Sequence, residues 1–145
     1  MVISVKFFFT ITKKGLIIAL ASVSLLLLTS IWTFSIKADM PDGSTHAKRM
    51  VYAKSLNLSL DEEKITSKET VIPTEFGAVY SEYNEIQKQA GFNLKNYKGK
   101  TVTVYSCPLT DKKRTLTLIV CNGKIIGGDI AEISANGKML PLKEK

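Results

Sequence analysis

Gly15 to Ile36 (GLIIALASVSLLLLTSIWTFSI) runs for 22 residues without a charged side chain. As a helix rising about 1.5 Å per residue, a run of this length reaches roughly 33 Å, enough to cross a hydrocarbon core of about 30 Å. Inside lipid every backbone polar group needs an internal partner, so an inserted run of this kind is helical. Its serines and threonines can bond back to the helix, and Trp32 stands near the outer end, where an amphipathic ring suits the interface. Lys13 and Lys14 precede the run, whereas only Lys37 follows closely, with Asp39 and Asp42 behind it. The positive-inside rule then predicts a cytoplasmic tail over 1–14, a transmembrane helix over 15–36, and an extracytoplasmic remainder. A cleaved signal peptide is the competing reading. Its apolar core spans about 7 to 15 residues, shorter than this run. Ile36 is also bulky for the third position before a cut after Ala38. Under either reading the following domain is exported.

Charge separates the two parts. The chain carries 20 Lys and Arg against 13 Asp and Glu, a net +7. From Asp39 onward there are 16 basic against 13 acidic side chains, so the exported part is only mildly basic at +3. Residues 37–44 hold Asp, Pro, Gly and Ser and read as a linker, leaving 45–145 as one domain near 100 residues.

Within that domain, Ser44 or Thr45 can cap a helix running to about Leu56, with Ala47, Met50 and Val51 on its apolar face. Thr66 to Ile72 is β-branched and reads as a strand closed by Pro73. A second helix follows Thr74, with Phe76, Val79, Tyr80, Tyr83, Ile86 and Ala90 at helical spacing. Gly91 suits the left-handed residue past its end, and Phe92 can pack back. Thr101 to Leu109 and Arg114 to Cys121 read as strands flanking a loop at Asp111 and Lys112. Asn122-Gly123 marks a type I′ hairpin into Lys124 to Ile133, and Asn136-Gly137 turns toward Met139 to Leu142. The order α-β-α-β-β-β predicts an α+β domain with both helices on one face of an antiparallel sheet.

The segment VIPTEFGAVYSEYNEIQKQAGFNLKNYKGK (Val71 to Lys100), followed by GKIIGGDI (Gly123 to Ile130), resembles domain of unknown function 4830, a family of uncharacterised proteins of Gram-positive bacteria. The resemblance extends from about Ala47. The matching residues are turn and core positions. It therefore implies a fold and a bacterial cell-surface setting, with no activity, cofactor or catalytic residue to transfer.

Candidate chemistry is sparse. A two-residue loop at Asp111-Lys112 pairs Cys107 with Leu116 and Val102 with Cys121, which puts the cysteines on opposite faces. A three-residue loop puts them on one face but roughly 13 to 20 Å apart along the strand. A disulfide needs Cα atoms within about 7 Å, so both registers argue against a Cys107–Cys121 bridge. One histidine, His46, and two cysteines fit no zinc pattern, and Asp61, Glu62 and Glu63 lack the spacing of a calcium loop. No metal or other cofactor is expected. Asp129 follows Gly127-Gly128, where the glycines mark a bulge or a close helix approach, and Asp129 either bonds locally or binds a ligand. Glu132, three residues on, points to the other face of a strand.

Lys112, Lys113 and Arg114 form a basic loop, and Lys95, Lys98, Lys100 and Lys124 are further cations near strand ends. They suit a solvated sheet edge or contact with an anionic lipid or wall polymer. No aromatic–basic motif points to nucleic acid. The leading expectation is a non-catalytic, membrane-anchored binding module whose partner is an envelope protein, a peptide or an anionic polymer. Candidate ligand contacts are Asp129, Lys112, Lys113 and Arg114. The alternatives are a small envelope hydrolase using Asp129 or Cys107, and a regulator acting through a partner's helix.

Overall fold

The computed structural model describes residues 40–134 and 136–142. The proposed membrane span, 15–36, lies outside the described residues. Among those described, no helix is long and apolar enough to cross a membrane. Asp39 onward forms one unit, an α+β domain. Its elements are α1 (His46–Ser55), β1 (Thr66–Val71), α2 (Ala78–Gln89), β2 (Thr101–Pro108), β3 (Arg114–Cys121), β4 (Lys124–Glu132) and β5 (Met139–Pro141). Short 3-10 turns lie at Glu62–Lys64 and Leu94–Tyr97.

The five strands pair in chain order, β1-β2-β3-β4-β5, and every pairing is antiparallel. Local turn chemistry sets the registers. Asp111 accepts the backbone N–H groups of Lys113 and Arg114 at 2.8 and 3.1 Å, closing the β2–β3 loop with Lys112 at φ 57°. Cys107 therefore opposes Leu116. At the β3–β4 turn, Asn122 and Gly123 take φ values of 48° and 75°, as a type I′ hairpin requires. One residue is then inserted: Val120 opposes Ile125 while Ile119 opposes Gly127, so β4 bulges at Ile126.

Side chains alternate across a strand, so these registers assign each residue to a face. Cys107, Leu116, Leu118, Val120 and Ile125 lie on one face, in a core cluster with Tyr52 and Ala53 of α1 and Leu58. Val102, Ile119, Cys121 and Ile126 lie on the other, with Ile72 and Leu94 and flanked by Phe76, Tyr80 and Tyr83. The two helices thus sit on opposite faces, not on one as the element order suggests. The sheet is sandwiched because both of its faces carry alternating apolar residues, and each needs cover.

Both helices differ from the predicted apolar stripes. Thr45 caps α1 by accepting from the Lys48 N–H, but the buried side is Arg49, Met50, Tyr52 and Ala53, with Ala47 and Val51 exposed. Helix α2 starts after Gly77 and buries Asn84 and Gln87, whereas Val79 is 81% exposed. Its end follows expectation: Gly91 has φ 87°, Phe92 N–H bonds to Gln87 C=O and Gly91 N–H to Lys88 C=O. That is a Schellman cap.

Candidate functional site

Three regions hold the side chains with chemical potential. The first lies between α2 and the bulge of β4. Tyr83 donates its hydroxyl to Asp129 Oδ1 at 2.7 Å, and Thr117, opposite Asp129 on β3, bonds the same carboxylate. Asp129 is only 3% exposed. Burial raises its pKa, and the two hydroxyl bonds pull it part of the way back. Tyr83 is pushed upward as well, by burial first and then by the Asp129 charge. Beside this pair, Gln87 Oε1 accepts the Gly128 N–H at 2.7 Å. Asn84 accepts the Leu94 N–H at 2.7 Å and donates to Asn93. These polar residues occupy the helix face because a bulge releases backbone groups from the ladder, and buried N–H groups need acceptors. Gly127 and Gly128 admit the helix: a Cβ at Gly127 would lie 2.8 Å from Gln87 Oε1, and one at Gly128 would lie 2.1 Å from Thr117 O. The geometry makes Asp129 a tie between α2 and the sheet.

The second region is the β2–β3 loop. Lys112 and Lys113 are exposed, and Arg114 Nε bonds Asp111 Oδ2 at 2.7 Å. The backbone bond from Lys113 and the Arg114 contact hold the Asp111 carboxyl below its usual range. A shallow depression of about 470 Å³ lies here, lined by Asp111, Lys113, Arg114, Glu132, Ile133 and Ser134. Two carboxylates thus stand among its cations. The loop sits at one end of β3. The chain enters at the other end, where Asp42 bridges to Lys124 and Ile125 N–H bonds Pro41 C=O. Asp129 is not in this depression, so the four residues singled out from the sequence do not form one site.

The thiols form no centre either. Cys107 lies on the α1 face and Cys121 on the α2 face, both free and buried. Burial pushes the Cys107 thiol up to about 11, against a smaller opposing pull from Arg49. Arg49 itself is buried, stacked 3.8 Å over the Tyr105 ring, and donates to Gly43 C=O at 2.8 Å. His46 pairs with Glu62 at 3.0 Å on the surface. Asp129 and Glu132 are on opposite faces. Among the described residues no group of His, Cys, Asp and Glu is placed to hold a metal ion.

The third region was not singled out from the sequence. All six residues of β1 are exposed, on both faces, although β1 pairs with β2 along its full length. Ile72 N–H bonds Lys100 C=O, and Asp61 N–H bonds Pro108 C=O on the same side of β2. Antiparallel ladders alternate, so Thr66, Lys68 and Thr70 bond to β2, while Ser67, Glu69 and Val71 turn their N–H and C=O outward. No hydrogen bond among the described residues uses those outward groups. The β-branched run at Thr66–Val71 marks the strand, but only the sheet order shows that it is a bare edge.

This architecture defines a small α+β domain: a five-stranded antiparallel meander with one helix on each face and, among the described residues, an open edge at β1. A family model described as domain of unknown function (DUF4830) matches residues 53–130, from the end of α1 to the bulged strand β4, and the chain belongs to that family. No curated protein and no solved structure matches the chain significantly.

Proposed function

We propose that the protein is a non-catalytic binding module of the Gram-positive cell envelope. Residues 15–36 anchor it in the membrane with 1–14 in the cytoplasm, and 37–145 face outward. The charge asymmetry around the uncharged run, Lys13 and Lys14 against Lys37 alone, supports that orientation. The observation that carries the binding role is β1. Sheet edges with unpaired backbone groups recruit other strands, and are commonly shortened, covered, bulged or lined with charge, as Lys68 and Glu69 line this one. Here, among the described residues, a six-residue edge strand has no further strand beside it and every one of its residues is exposed. Such an edge binds an extended polypeptide by adding it as a further strand.

The residues with acid–base or nucleophilic capacity support the same reading. Asp129 is committed to Tyr83 and Thr117, and Cys107 lies across the sheet from it. A photocrosslinking side chain at Ser67, in the full-length protein on intact cells, tests the role. A discrete protein adduct from position 67, absent when the same group sits at Lys138, is the expected result. Adducts equally distributed between the two positions, or turnover of an envelope substrate that depends on Asp129, would overturn it.

A further inference from the structure

The β1 edge selects its occupant. Two folded copies of this domain meeting edge to edge would pair β1 with β1 antiparallel about a two-fold axis, through the outward residues Ser67, Glu69 and Val71. The two registers centred on the strand place Lys68 opposite Lys68, or Glu69 opposite Glu69. Like charges directly opposite on one face are destabilising. Sliding by one residue would set Lys68 against Glu69. Folded β1 cannot do that: Lys68 turns its backbone inward to β2, and a one-residue slip would oppose inward groups to outward ones.

A separate extended peptide has both of its edges free, so it takes the offset register that a second copy cannot. We infer that the occupant of this edge is an extended segment of a different polypeptide, running antiparallel to β1, with a basic residue followed by an acidic one. The basic residue opposes Glu69 and shares its backbone hydrogen bonds, and the acidic residue opposes Lys68 on the other face. This rests on the reading of the protein as a binding module and adds the chemistry of the partner.

The strand's own sequence as a free, end-blocked hexapeptide, Thr-Ser-Lys-Glu-Thr-Val, is a suitable probe. In the offset register its Lys opposes Glu69 and its Glu opposes Lys68. Binding is read by fluorescence anisotropy with full-length protein in detergent micelles. Methylating the backbone nitrogen of the peptide's Lys, which faces β1, is expected to weaken binding by about tenfold or more, while methylating that of its Glu leaves binding unchanged. Replacing the peptide's Lys and Glu with Gln is expected to weaken binding by roughly two- to fivefold. Glu69→Pro in the protein removes an outward N–H without touching the β2 ladder. It is expected to abolish binding with the thermal unfolding midpoint unchanged. Equal effects of the two methylations would overturn the edge assignment, as would binding that persists in Glu69→Pro while Lys112→Glu/Lys113→Glu removes it; both leave the binding-module reading standing. Cleavage of the probe in place of binding would overturn that reading itself.

Discussion

The Tyr83 hydroxyl and the Asp129 carboxylate meet at 2.7 Å across 46 residues of sequence, and this bond fastens α2 to the bulged strand β4. Removing the donor leaves a buried carboxylate oxygen without one of its partners. Tyr83→Phe is expected to lower unfolding stability by about 1–3 kcal/mol, measured by urea denaturation. A change below about 0.5 kcal/mol, the range of ordinary surface substitutions, would show that the bond does not hold the helix.

The same carboxylate gives a pH signature. Burial raises the Asp129 pKa above its ordinary 3.8, so the native state binds this proton more tightly than the unfolded chain. Its contribution is therefore most favourable in acid and declines as pH rises from near 3.8 through the raised native value. Asp111, whose pKa is lowered, has the opposite sign and loses its contribution on acidification. Subtracting the stability profile of Asp129→Asn from that of the wild type removes the shared carboxylates. The difference is expected to fall as pH rises past 3.8 and to level off above the raised native value, and a difference flat with pH would contradict the assignment.

Gly128 is the tightest point of the bulge. A Cβ there would approach Thr117 O at 2.1 Å and the Leu142 side chain at 3.0 Å. Backbone cannot yield as a flexible side chain can, so Gly128→Ala is expected to cost about 3 kcal/mol or more, enough to deplete the folded protein in thermal melts. Gly77, where a Cβ meets nothing within 4 Å, is the control, and Gly77→Ala is expected to be near neutral.

Both thiols are inaccessible and on opposite faces. Neither Cys107 nor Cys121 is expected to react with a thiol-specific dye in the native protein at pH 8, and both are expected to react on unfolding. Fast labelling of Cys107 in the folded state would conflict with its burial and with a thiol raised to about 11.

Much of this fold was legible because local chemistry fixes it. Asn122-Gly123 and the Asp111 loop specified two hairpins, and Gly91 with Phe92 specified the end of α2. The side on which each helix packs was not legible, since it depends on both sheet faces being apolar, which the registers reveal only together. The burial of Asn84 and Gln87 was hidden for a related reason. Polar residues enter a helix's inner face only where something needs their bonds, and the bulge that frees the Gly128 N–H is a tertiary feature. Asp129 stands out in the sequence by its carboxylate, whereas Tyr83, which donates to it, falls within an apolar stripe there. At β1, Thr-Ser-Lys-Glu-Thr-Val suits a half-covered strand as well as a bare one, so its exposure appears only once the sheet order is known.

Amide hydrogen exchange along β1 tests the central claim most directly. An edge strand with one free side is expected to show alternating protection: slow exchange at Lys68 and Thr70, whose N–H groups bond to β2, and fast exchange at Ser67, Glu69 and Val71. Uniform protection at all five amides would mean that the outer edge is already occupied, and would contradict a free docking strand.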